Sequence, residues 1–173
     1  TERFQPNNPK SSMLRFHTQP AGVTLTAQQP LNNAVRVSYQ ALSAVLGGTQ
    51  SLHTNSYDEA IGLPTEESAL LALRTQQILA EETNVPNSVD PLAGSYLVEE
   101  LTYKLYHNSR KLIEDMDNMG GAMQCVIAGY QQRHIHEAAW NQLQSIEDGT
   151  TKVIGVNKYA EDQTTDIVGQ RQN

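Results

Sequence analysis

Twice in the first half of the chain a short alternating run is followed by a polar loop and then by a helical stripe, and this order constrains the fold more than any other feature. The first run, Met13-Leu14-Arg15-Phe16-His17-Thr18, alternates apolar and polar residues, which predicts a strand ending near Gln19, where Pro20 breaks it. From Leu31 to Leu46 the apolar residues Val35, Tyr39, Leu42 and Leu46 recur at helical spacing, and Gly47-Gly48 supplies the stop. A second extended run, 49–54, leads into a polar loop at 55–64. Thr65 then reads as an N-cap, Glu66 and Glu67 suit the positive end of a helix dipole, and Leu71, Ile78 and Leu79 continue one face. Between Asn84 and Gly94 two prolines leave room only for a brief third strand around Val89.

Strands joined by helical crossovers run parallel and must be covered on both faces, so two or three of them cannot make a complete sheet. The expected class is therefore α/β, with the strands belonging to a larger sheet. The second half reads differently. Val98, Leu101, Leu105, Leu112 and Met116 form one helical stripe, Gly120-Gly121 interrupts, and Ile135, Ala139, Leu143 and Ile146 form another. Val153 to Val156 has the character of a small strand, and the polar stretch from Ala160 onward lacks periodicity and is expected to fray. Three regions result: strand and helix units over 1–95, a helical segment over 96–159, and a polar tail over 160–173.

A net charge of -7 argues against nucleic acid, whose phosphates are bound by clustered Lys and Arg. No apolar run is long enough to span a membrane, and the opening TERFQPNNPK has no apolar signal core, so a cytoplasmic address is expected. The single Cys125 cannot form an internal disulfide and fits a reducing compartment.

In parallel α/β folds ligands meet the loops that follow the strands. Here these are 19–29 and 55–64. The first offers Gly22 for close backbone approach and Gln19, Thr24, Thr26 and Gln28 as hydrogen-bonding side chains; the second offers Asn55, Tyr57, Asp58 and Glu59 within five positions. Each has an ordinary alternative. A loop glycine serves turn chemistry, an acidic pair starts helices, and His17 or His53 at a strand end can be purely structural. His134 and His136 lie two apart and point to different faces of a helix, so they are not a metal pair, and no other metal, dinucleotide or nucleotide motif is present. The residues by themselves describe part of a site for a polar ligand.

The strings RFHTQPAGVTLTAQQPLNNAVR, GGTQSLHTNSYDEAIGLPTEESALLALRTQQILAEET, VDPLAGSYLVEELT and VIGVNKY, in this order and spacing, resemble the methylmalonyl-CoA mutase family of cobalamin-dependent acyl-CoA mutases. The resemblance runs from about Arg3 to Tyr159. It implies the late strands of a TIM (β/α)8 barrel, hence a partial barrel, followed by the helical segment. It also implies adenosylcobalamin as cofactor, a short branched acyl-CoA as substrate, and radical carbon-skeleton rearrangement as the reaction.

By the same resemblance Glu59 meets the adenosyl ribose and Asn55 lies against the adenosyl group. Gln19 lines the space between adenosyl group and substrate, Gly22 packs on the corrin face, and Gly62 of the second loop is counted with the cofactor contacts. None of these is a catalytic group or metal ligand. Family members usually carry threonine where this chain has Pro20, and the DxHxxG motif that supplies the lower cobalt ligand is absent. The expected partners are therefore a cobalamin-binding domain or subunit and the remaining barrel portion, with a chain of this length inactive alone. The rival expectation is a non-catalytic or truncated piece that docks to a partner subunit.

Overall fold

The computed structural model describes residues 3–161. The chain forms two compact units, Thr1–Glu99 and Glu100–Asn173. The first contains α1 (Asn32–Leu46) and α2 (Glu66–Glu82). A third helix, α3 (Tyr96–Asn118), has its first turn at the unit boundary; α4 (Ala122–Ile127) and α5 (Tyr130–Glu147) follow in the second unit. Among the described residues no helix is long and apolar enough to cross a membrane. The polar tail expected over 160–173 lies almost wholly outside the described residues.

The expected partial barrel is not what forms: the described residues are mainly helical and contain no sheet. Thr18 and Leu52 meet in one isolated parallel bridge, in which Thr18 N–H donates to the Ser51 carbonyl and His53 N–H to the Thr18 carbonyl, each at 2.9 Å. The pairing stops there because a side chain takes over. Gln50 Oε1 accepts from Phe16 N–H at 2.8 Å and its Nε2 donates to the Leu14 carbonyl at 3.1 Å, occupying the groups a ladder would need. Two parallel segments without further neighbours cannot satisfy or cover themselves, so the extended pattern ends as a bridge.

The strand expected at Val89 is also absent. Val85–Asn87 is a 3-10 turn, entered through Asn84 at φ 58°, and Val89 is 97% exposed. Pro86 removes one ladder donor and pre-sets a turn angle, which explains the preference. Val153 to Val156 likewise forms a turn, closed by an isolated bridge between Ile154 and Lys158.

The helices at 32–46 and 66–82 form where the periodicity placed them, but of their expected stripes only Leu79 is buried. On α1 the buried residues are Asn33, Val37 and Ala41, while Val35 and Tyr39 are exposed. On α2 they are Ser68, Ala72, Thr75 and Leu79, while Leu71 and Ile78 are exposed. α1 packs on α2, and the buried positions are mostly small side chains, with Val37 and Leu79 the larger ones, while several bulkier apolar residues face outward. Thr65 caps α2 as expected, its Oγ1 accepting from Ser68 N–H at 3.2 Å.

In the second unit α4 packs on α5, and Cys125, fully buried, directs Sγ to the Met116 carbonyl at 3.6 Å. Gly120 and Gly121, at φ 97° and 90°, make the reversal between α3 and α4 that residues with a Cβ avoid. After α5 the Asn157 side chain closes the final turn, accepting from Val153 N–H at 2.7 Å and donating to the Ile146 and Thr151 carbonyls at 2.7 and 2.8 Å.

Candidate functional site: two loops tied by asparagines

The loops at 19–29 and 55–64 lie side by side in the first unit, joined by two asparagine side chains. Asn55, 2% exposed, donates from Nδ2 to the Pro20 carbonyl at 2.8 Å. The proline at this position thus serves through its carbonyl, which any residue carries. Asn33, at the start of α1, donates from Nδ2 to the Thr26 carbonyl of the first loop and the Tyr57 carbonyl of the second, each at 2.8 Å. Neither loop could hold this position by main-chain pairing, because the bridge at Thr18 and Leu52 ends before them.

The structure brings Gly22 and Glu59 into contact. A Cβ added at Gly22 would lie 3.2 Å from Glu59 Oε1 and 3.3 Å from its Cγ, so the carboxylate rests in the space that glycine leaves open. Asn55, four residues before Glu59 in the second loop, has its Oδ1 enclosed and without a partner, an acceptor whose desolvation no described group offsets. Gln19 is exposed next to Pro20. Gly62 stands apart: its N–H donates to the Asp58 carbonyl at 3.1 Å in an exposed turn, and a Cβ there would meet nothing within 4 Å.

Asp58 is structural rather than open. Its Oδ2 accepts from Thr65 N–H at 3.2 Å, tying the second loop to the start of α2. Burial pushes its carboxyl up, but the side chains of Ser56 and Ser68 and the backbone N–H groups of Thr65 and Asp58 outweigh that and hold it below the ordinary carboxylate value. Ser56 Oγ acts here as a nearby dipole, since it falls short of regular hydrogen-bond geometry. Behind the second loop a cleft of about 250 Å³ opens against α2, lined among others by His53, Ser56, Glu59, Ala72 and Gln76. Thr54 anchors its floor, donating to the Ala72 carbonyl at 2.7 Å and accepting from Gln76 Nε2 at 2.9 Å.

His17 pairs through Nδ1 with Ser51 Oγ at 2.7 Å, and the His134 ring packs edge-on to Tyr130 with centroids 4.4 Å apart. The described residues contain no cluster of three groups able to hold a metal. Periodicity and loop position overlooked Asn33. The available signal was an asparagine, a poor helix former, four residues before Val37 on the buried face.

Two loops tied by asparagine side chains, with Gly22 open to the Glu59 carboxylate and an enclosed, unpartnered Asn55 Oδ1, make up the candidate site. The methylmalonyl-CoA mutase family model matches residues 1–172, and the chain belongs to that family. It is 52% identical over 156 residues to the methylmalonyl-CoA mutase of Cereibacter sphaeroides, covering 90% of this chain and 22% of that protein. The mitochondrial methylmalonyl-CoA mutase of Mus musculus is 48% identical over 156 residues, or 90% of this chain and 21% of that one. The 2-hydroxyisobutanoyl-CoA mutase large subunit of Aquincola tertiaricarbonis is 48% identical over 162 residues, covering 94% and 29%. The chain thus spans between a fifth and a third of the length of these relatives.

Proposed function

We propose that this chain forms the adenosyl-contacting wall of an adenosylcobalamin-dependent mutase that rearranges a short branched acyl-CoA. The observation that carries the reading is the contact between Gly22 and Glu59. A carboxylate has two acceptor oxygens that match two neighbouring ribose hydroxyls, and a charge-assisted pair of this kind is strong and directional. Gly22 lets backbone and carboxylate approach without a Cβ between them, which suits the flat face of a large ring. Asn55 Oδ1, enclosed and unpartnered, supplies an acceptor for a donor that enters the same place. The residues present therefore fit the group.

When bound, adenosylcobalamin supplies the radical chemistry that starts a carbon-skeleton rearrangement. The residues of this chain hold and orient. Glu59 would hold the ribose, Asn55, tied to the Pro20 carbonyl, would lie against the adenosyl group, and Gln19, exposed beside Pro20, would line the space between adenosyl group and substrate. A cobalamin-binding domain or subunit and the rest of the mutase would supply the remaining cofactor contacts and most acyl-CoA contacts. The working compartment is cytoplasmic or matrix-like.

The test uses a full-length mutase made by exchanging this chain for the matching segment of the Cereibacter sphaeroides relative. Glu59→Gln is expected to lower turnover of methylmalonyl-CoA roughly ten- to a hundredfold, the loss of one charge-assisted hydrogen bond. His134→Ala and His136→Ala, on α5, are expected to leave it nearly unchanged. Equal effects from all three would remove Glu59 from the site.

A further inference from the structure

We infer that Asn33 is the positioning residue that sets the spacing between the two loops, and through it the placement of the Glu59 carboxylate beside Gly22. Its purpose rests on the mutase reading; its geometry does not. Asn33 is fully buried in the first turn of α1. Its Nδ2 donates to one carbonyl from each loop, Thr26 and Tyr57. Its Oδ1 accepts from Thr26 N–H at 3.1 Å and from Arg36 Nη1 at 2.7 Å. Both amide hydrogens and both acceptor directions are thereby in use, so the side chain cannot turn without breaking a bond.

The consequence for Glu59 follows from chain order. Tyr57 lies two residues before Glu59, and Glu59 N–H donates to the Ser56 carbonyl at 3.2 Å, so fixing the Tyr57 carbonyl fixes the turn that presents the carboxylate. The first loop is seated on α1 by further side chains. Arg36 Nη1 donates to Thr26 Oγ1 at 3.0 Å, and Gln40 Nε2 to Thr24 Oγ1 at 2.7 Å. The bonds of Asn33 reach both loops, to Thr26 in the first and to Tyr57 in the second. Thr24 and Thr26 follow Gly22 closely, so the same asparagine positions both sides of the glycine–carboxylate contact.

Asn33→Asp separates the two halves of this role. A carboxylate still accepts from Arg36 and from Thr26 N–H, but it faces the two carbonyls with an oxygen and cannot donate. Asn32→Asp, one residue earlier, adds the same charge where the native side chain donates only to Gln29 Oε1, at 2.8 Å. Hydrogen exchange on the full chain reads the result. The amides of Thr24 to Thr26 and of Glu59 to Gly62 are expected to exchange about tenfold faster or more in Asn33→Asp, with those of Ala69 to Leu79 unchanged and Asn32→Asp near wild type.

Unaltered exchange at Glu59 to Gly62, or a uniform rise across α1 and α2, overturns the inference. If Asn33→Asp does not fold, Asn33→Ser, uncharged and shorter, is read against the same two outcomes. In the full-length exchanged mutase, Asn33→Asp is further expected to raise the half-saturating adenosylcobalamin concentration and to lower turnover at saturation by less than Glu59→Gln does, since the carboxylate is displaced but kept. A chimera that ignores adenosylcobalamin before any substitution would contradict the mutase reading, while the exchange pattern would still decide the role of Asn33.

Discussion

Gly22 carries more of the site than its size suggests, because what it contributes is space. A methyl group there would press on Glu59 Oε1 at 3.2 Å, and Glu59 is an exposed, flexible side chain that can swing away. Gly22→Ala is therefore expected to change the unfolding free energy by less than about 0.5 kcal/mol while weakening adenosylcobalamin binding in the full-length enzyme. A stability loss as large as the binding loss would show that the glycine serves the fold. Asp58 gives a separate test by pH. Its folded pKa lies below the unfolded value of 3.8, so its contribution is present above that value and is lost as pH falls through the lower, folded one. Asp148, in the second unit, is shifted the same way by Thr150 and must be subtracted. Thermal unfolding between about pH 6 and pH 3 is expected to show a smaller loss of stability in Asp58→Asn than in wild type. Loop position and residue chemistry made Gly22, Asn55 and Glu59 legible as candidates, and family resemblance gave them roles. The contact between two of them was not legible, since nothing local relates positions 22 and 59.

At the scale of elements, start and stop signals proved more informative than apolar stripes. Thr65 before two glutamates and Gly47-Gly48 after Leu46 mark helix ends by hydrogen bonding within a turn, which a local sequence contains in full. Which face is buried depends on the neighbour, and here the neighbour selects small residues. Removing the cap by Thr65→Ala is expected to cost about 1 kcal/mol, since Ser68 N–H loses its acceptor; Thr65→Ser should retain most of it. Chemical denaturation of the chain measures both. The packing claim is tested by contrast. Ala41 is fully buried and Tyr39 is 68% exposed, so Ala41→Leu is expected to cost about 1–3 kcal/mol by overpacking and Tyr39→Leu little. The extended runs misled for a physical reason: alternation at 13–18 and 49–54 is real, but a strand requires partners, and Gln50 occupies the groups through which pairing would spread.

For the molecule as a whole, large apolar side chains are widely exposed in both units. Leu97, Leu101 and Leu105 on α3 and Ile135 and Trp140 on α5 join the outward residues of α1 and α2. Exposed apolar surface of this extent marks interaction surface, and relatives several times longer carry polypeptide that could cover it. Sedimentation of the chain is expected to show association that grows with concentration, and a single monomeric species throughout would contradict that. The role proposed for Glu59, beside Gly22, is to accept the ribose hydroxyls of adenosylcobalamin. Its most direct measurement is a cycle in the full-length exchanged mutase, pairing wild type and Glu59→Gln with adenosylcobalamin and with its 2′-deoxyribose analogue. Each single change should weaken cofactor binding roughly tenfold or more, and the two together should cost clearly less than the sum, because both act on the same carboxylate–ribose pair. Fully additive losses would mean that Glu59 and the ribose hydroxyl act on different partners, and the proposed site would be wrong.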